Sequence, residues 1–111
     1  MASYDFSDFK LFEIEFIGQF ITSYLESNID KVEKIDLFNF GILFSNFKRF
    51  VIVENKIMNG RVDDQEREFY KKLKALIDKY PGFKKSIIDD YLSYKSKLKK
   101  EKPRVYREIF E

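Results

Sequence analysis

The sequence predicts an α/β domain: a helix, a β-hairpin, a second helix, a short strand or helix, and a basic C-terminal helix. Three observations predict it. Apolar residues recur at helical spacing from about residue 8 to 26 and again over 63–80. Between these stretches, IDLFNFGIL and FVIVENK are dense in β-branched and aromatic residues. They also carry Gly41, Ser45-Asn46 and Val51-Ile52-Val53, which are unfavourable inside a helix. Finally, 111 residues suffice for one domain, 1–111, and not for two.

Each element has its own signal. Ser7 or Asp8 can cap the first helix, whose expected inner face is Phe9, Phe12, Phe16, Ile17, Phe20, Ile21 and Tyr24, and Ser27-Asn28 ends it. The hairpin turns at Ser45-Asn46. Asn59-Gly60 is a turn. Asp63 with Glu66 is a capping box, after which Phe69, Tyr70, Leu73, Leu76, Ile77 and Tyr80 share a stripe that stops at Pro81-Gly82. KKSIIDDYL, residues 84–92, reads as a short strand or as the start of a helix with Ile87, Ile88, Tyr91, Leu92 and Leu98 inward. VYREIF after Pro103 forms a last amphipathic turn or two. The alternative is an all-α four-helix bundle in which 36–58 is a helix with Phe40, Phe44, Phe47, Val51 and Met58 on one stripe.

Composition narrows the chemistry. There is no Cys and no His, so thiolate nucleophiles, zinc–thiolate sites and imidazole bases are excluded. Any metal would be a hard cation on oxygen ligands. The start, MASYDFSDFK, lacks the basic and apolar blocks of a leader, and LFNFGILFSNFKRFVIV is too polar to span a bilayer. The expectation is a cytoplasmic protein without a membrane segment. Of 13 Phe, ten precede residue 51 and supply core, and an exposed remainder would mark a dimer interface.

Charge is uneven. Residues 1–60 hold six Lys/Arg and nine Asp/Glu; residues 61–111 hold fifteen and ten. Lys95, Lys97, Lys99, Lys100, Lys102, Arg104 and Arg107 are interrupted by one acid, Glu101. Such a segment suits nucleic acid, with DNA the first expectation. Lys at a helix C-terminus also complements the helix dipole.

Two positions make carboxylates conspicuous. Folding the hairpin about Ser45 sets Asp36 opposite Glu54, a repulsion that a divalent cation would relieve, with Lys56 on the same face as Glu54. Glu13 falls in the middle of the apolar face of the first helix, where an acid is costly unless paired or metal-bound. Alternatively Glu13 lies in a first turn and reaches out to water.

FVIVENKIMNGRVDDQEREFYKKL resembles the signature of the PD-(D/E)xK, or restriction-endonuclease-like, nucleases. The likeness covers about residues 35–73. It implies a minimal restriction-endonuclease-like core and a metal-dependent nuclease hydrolysing phosphodiesters. Asp36, Glu54 and the Asn55 carbonyl would hold Mg²⁺ or Mn²⁺. Lys56 would assist the water nucleophile and Gln65 would position Lys56 or the phosphate, with Phe69 at the aromatic position and Glu13 as the acid of the leading helix. A nuclease of this size would pair with a second copy to reach two strands. Two rival readings stand beside it. One is a non-catalytic all-α binding or adaptor protein that contacts nucleic acid or an acidic partner through its basic C-terminal segment. The other is a nuclease-like fold retained as a structural subunit.

Overall fold

Residues 35–58, expected as a hairpin, lie in two helices broken at Asn46. The computed structural model describes residues 5–111, and their regular structure is helical throughout: α1 Leu11–Ser27, α2 Lys34–Ser45, α3 Phe47–Met58, α4 Asp64–Lys79, α5 Phe83–Glu101 and α6 Pro103–Phe110. Short 3₁₀ turns precede α1 and α2, at Phe6–Asp8 and Ile29–Lys31. The α/β expectation is therefore corrected to all-α. IDLFNFGIL, FVIVENK and KKSIIDDYL form no strand, and no strand exists among the described residues. The first four residues of MASYDFSDFK lie outside them.

Asn46 explains why the middle of the chain misleads. Its φ of −122° and ψ of 23° lie outside the helical well. Its Nδ2 donates to the Ile42 carbonyl at 2.9 Å, closing α2, and its own carbonyl accepts from the Phe50 N–H at 2.8 Å, opening α3. Ser45-Asn46 is thus a genuine break, but between helices. The inward stripe then runs Asp36, Phe40, Leu43, Phe47, the adjacent pair Phe50 and Val51, and Glu54, with successive rungs three or four residues apart. Phe44 and Met58 point out. Val51 and Val53 are buried, and that burial outweighs the few tenths of a kcal/mol by which a β-branched residue disfavours a helix.

Helix α1 is the hub, packing on α2, α3 and α5. Its fully buried residues are Ile14, Ile17 and Ile21; Phe9, Phe16 and Phe20 sit at the margin and Phe12 is exposed, so the inner face is rotated from the phenylalanine face the spacing suggests. Lys10, not Ser7 or Asp8, precedes its first turn. Gly18 lets α3 approach, since a Cβ there would lie 3.0 Å from Cδ2 of Phe47. Phe47 is itself held edge-on by Phe6, with ring centres 5.0 Å apart.

The remaining boundaries follow local rules. After α3, Gly60 adopts φ 70°, its N–H donates to the Ile57 carbonyl at 3.1 Å, and the Arg61 N–H donates to the Lys56 carbonyl at 2.9 Å. This is the glycine-terminated helix end that favours left-handed backbone. The Asp63 cap forms in both directions: Glu66 N–H donates to Asp63 Oδ1 at 2.8 Å, and Asp63 N–H to Glu66 Oε1 at 3.3 Å. Helix α5 buries Phe83, Ile87, Ile88 and Tyr91, and Pro103 starts α6. No helix of the described residues is long and apolar enough to cross a membrane.

Helix α2 is apolar almost all round. Ile35 and Phe38 are 64% and 67% exposed. Between them and Phe44 lies Gly41, exposed, with nothing within 4 Å of where a Cβ would stand. Gly41→Ala is expected to raise unfolding stability by about 0.5–1 kcal/mol, the helix-propensity gain. Gly18→Ala is expected to lower it by about 1–2 kcal/mol through overpacking against Phe47. Urea unfolding of both variants checks the pair; equal gains at the two sites would contradict the packing described for α1 and α3.

Candidate functional site

The three carboxylates that the sequence marks out are each bound by a tyrosine hydroxyl from later in the chain. On α1, Glu13 is 7% exposed. Its Oε2 accepts from the Tyr91 hydroxyl and from Lys95 Nζ at 3.1 Å, both on α5, and its Oε1 accepts from the Lys10 N–H at 3.3 Å. On α2, Asp36 is 6% exposed. It accepts from the Tyr80 hydroxyl at 2.5 Å and pairs with Lys79 Nζ at 2.8 Å. On α3, Glu54 accepts from the Tyr70 hydroxyl of α4 at 2.9 Å.

These partners set the protonation states. Burial pushes the Glu13 carboxyl up, but the hydrogen bonds from Tyr91 and Lys95 outweigh it and hold the group below its ordinary range. Lys79, then Tyr80, holds Asp36 down. Burial and the neighbouring carboxylate raise all three tyrosines, so their hydroxyls stay protonated donors. The Tyr80 hydroxyl also accepts from the Glu33 N–H at 3.1 Å, and Lys79 reaches Glu33 Oε2 at 3.1 Å. The start of α2 is thereby tied to the end of α4.

The arrangement expected around a metal is not assembled. Asp36 is on α2 and Glu54 on α3, each turned to its own tyrosine, because the hairpin that would oppose them is absent. Lys56 donates to Glu66 Oε2 of the α4 cap at 2.7 Å. The Asn55 carbonyl accepts from the backbone N–H and side-chain amide of Asn59, at 3.2 and 2.8 Å. Gln65 is exposed in the first turn of α4, and Phe69 lies under the Arg49 guanidinium, 4.5 Å from the ring centre. Among the described residues no three Asp or Glu side chains gather where Mg²⁺ or Mn²⁺ could be held.

The basic segment is brought together, with one member withdrawn. Lys95 is turned inward to Glu13 and lies over Phe110 of α6, 4.8 Å from its ring centre. Phe110 in turn packs on Phe12 and Phe16 of α1, with ring centres 6.0 and 5.9 Å away. Lys97, Lys99, Lys100, Lys102 and Arg104 are exposed, and none makes an ion pair among the described residues. Lys99 lies over the Tyr106 ring at 5.5 Å. The tyrosine partners escape a reading of composition alone, where Tyr counts as core volume. A signal was present, however: a buried tyrosine needs a partner for its hydroxyl, and a buried acid needs a donor.

No protein-family model, curated protein or solved structure matches this chain.

The carboxylate contacts fix a pH dependence. Glu13 and Asp36 have lowered pKa values in the folded state, so the unfolded chain binds more protons as the medium becomes acidic. Their contribution is complete above the ordinary carboxylate range and is lost as pH falls through that range towards the folded values. Thermal melts from pH 7 to pH 3 are expected to show a falling midpoint. In Glu13→Gln with Asp36→Asn the midpoint is expected to be lower at pH 7 and the acid decline shallower. An unchanged decline in that double variant would contradict the assignment.

Proposed function

We propose that this chain is a non-catalytic, all-α binding protein that holds nucleic acid on the basic end formed by α5 and α6. The observation that carries this reading is five exposed cations in eight residues, Lys97 to Arg104, none of which makes an ion pair among the described residues. Helix-dipole stabilisation accounts for Lys99 and Lys100 at the end of α5. Lys102 is at once the C-cap of α5 and the N-cap of α6, so the two dipoles oppose each other there. Dipole stabilisation does not account for Arg104, which stands in the first turn of α6, where the dipole is positive and a cation is unfavourable. An external anion offsets that repulsion. Phosphate contacts of this kind position a backbone without reading sequence.

The test is fluorescence anisotropy of a labelled oligonucleotide across a KCl series. Each phosphate neutralised contributes about −0.7 to −0.9 to the slope of log K against log salt. Replacing Lys97, Lys100, Lys102 and Arg104 with Gln is expected to weaken binding and flatten that slope by about 3. A control removing the same charge from Lys31, Lys34, Lys71 and Lys72 is expected to bind nearly as the wild type. Absence of wild-type binding, or equal losses in both variants, would overturn the proposal.

A further inference from the structure

We infer that the basic end carries a base-stacking subsite on Tyr94, so that its ligand is single-stranded nucleic acid. This rests on the function proposed above and narrows it. Tyr94 projects from α5 immediately before the basic segment and is 39% exposed. Phe20 of α1 packs against its ring at a tilt of 57°, with centres 6.1 Å apart, which seats the tyrosine against the body of the protein. The hydroxyl makes no hydrogen bond among the described residues, so the side chain is not held there by a polar partner as Tyr70, Tyr80 and Tyr91 are.

Beside the ring is an open hollow of about 290 Å³, lined by Tyr94, Lys97, Leu98, Glu101 and Lys102. That volume is near the lower end for small-molecule sites. An aromatic wall, a leucine and two flanking lysines are the parts needed for one stacked base with phosphates to either side. A second hollow adjoins it, sharing Lys97 and Glu101, and adds Lys100 with the hydroxyls of Ser93 and Ser96. Lys97 thus stands between two neighbouring spaces, at the place a phosphate linking successive nucleotides would take. Glu101 belongs to both rims and has no ion pair among the described residues. A carboxylate repels phosphate but accepts from base N–H groups, so it favours a base in the hollow over the backbone. In a duplex the bases are stacked on one another, and the Tyr94 face is left unused.

The test is anisotropy with a labelled 12-nucleotide single strand, its duplex, and heparin as a polyanion without bases, at matched salt. Wild type is expected to prefer the single strand. Tyr94→Ala is expected to weaken that strand by about 5- to 100-fold, the scale of one stacked base, with the salt slope unchanged. Heparin and duplex binding should stay the same, and Tyr94→Phe should keep the preference. Circular dichroism confirms that each variant folds. If wild type and Tyr94→Ala bind the single strand alike, the stacking inference is overturned, while binding of heparin keeps the polyanion reading intact. If no polyanion binds, both are overturned.

Discussion

Three carboxylates on the inward stripes of three helices would each be an uncompensated buried or half-buried acid if left alone. The fold depends on how they are met. Glu13, Asp36 and Glu54 sit on α1, α2 and α3; Tyr91, Tyr80 and Tyr70 reach them from α5 and from α4 with its C-cap. The first half of the chain supplies acceptors and the second half supplies donors. A tyrosine suits the task because its ring fills core volume while its hydroxyl donates a single directed hydrogen bond. Lys95 and Lys79 add charge at two of the three contacts. Breaking one partner of such a pair leaves a costly group behind, so these contacts favour one helix arrangement over near alternatives.

Much of this was legible in the sequence, and the rest has identifiable causes. The helix over 63–80 with its two-way cap, the Asn59-Gly60 turn and the break at Ser45-Asn46 are local features, and the chain carries them locally. Glu13 stands out in the sequence as an acid on an apolar face. What the sequence hid was the nature of the break. Asn46 stops one helix and starts another, and the Val51-Ile52-Val53 run looked like a strand because it lies just beyond that break. In a hairpin Asp36 and Glu54 would face each other, and a metal would be the natural remedy. In the helical fold the same two acids find tyrosines 44 and 16 residues away, a pairing that local spacing cannot display.

The Glu13 contact also links the scaffold to the proposed binding surface. Lys95 is the first of the basic residues, yet it faces inward, spanning Glu13 on α1 and the Phe110 ring on α6. It therefore positions α5 and α6 and leaves the later cations to face solvent. Phe20, from the same face of α1, backs Tyr94. The basic end is accordingly mounted on α1, the helix that packs on α2, α3 and α5.

The most direct test of this account is a double-mutant cycle at the deepest contact, using Glu13→Gln, Tyr91→Phe and the double variant in urea unfolding at pH 7. If the carboxylate–tyrosine contact organises the fold, the two residues should couple by about 1–3 kcal/mol. Additive losses within about 0.3–0.5 kcal/mol, the range for independent sites, would contradict it.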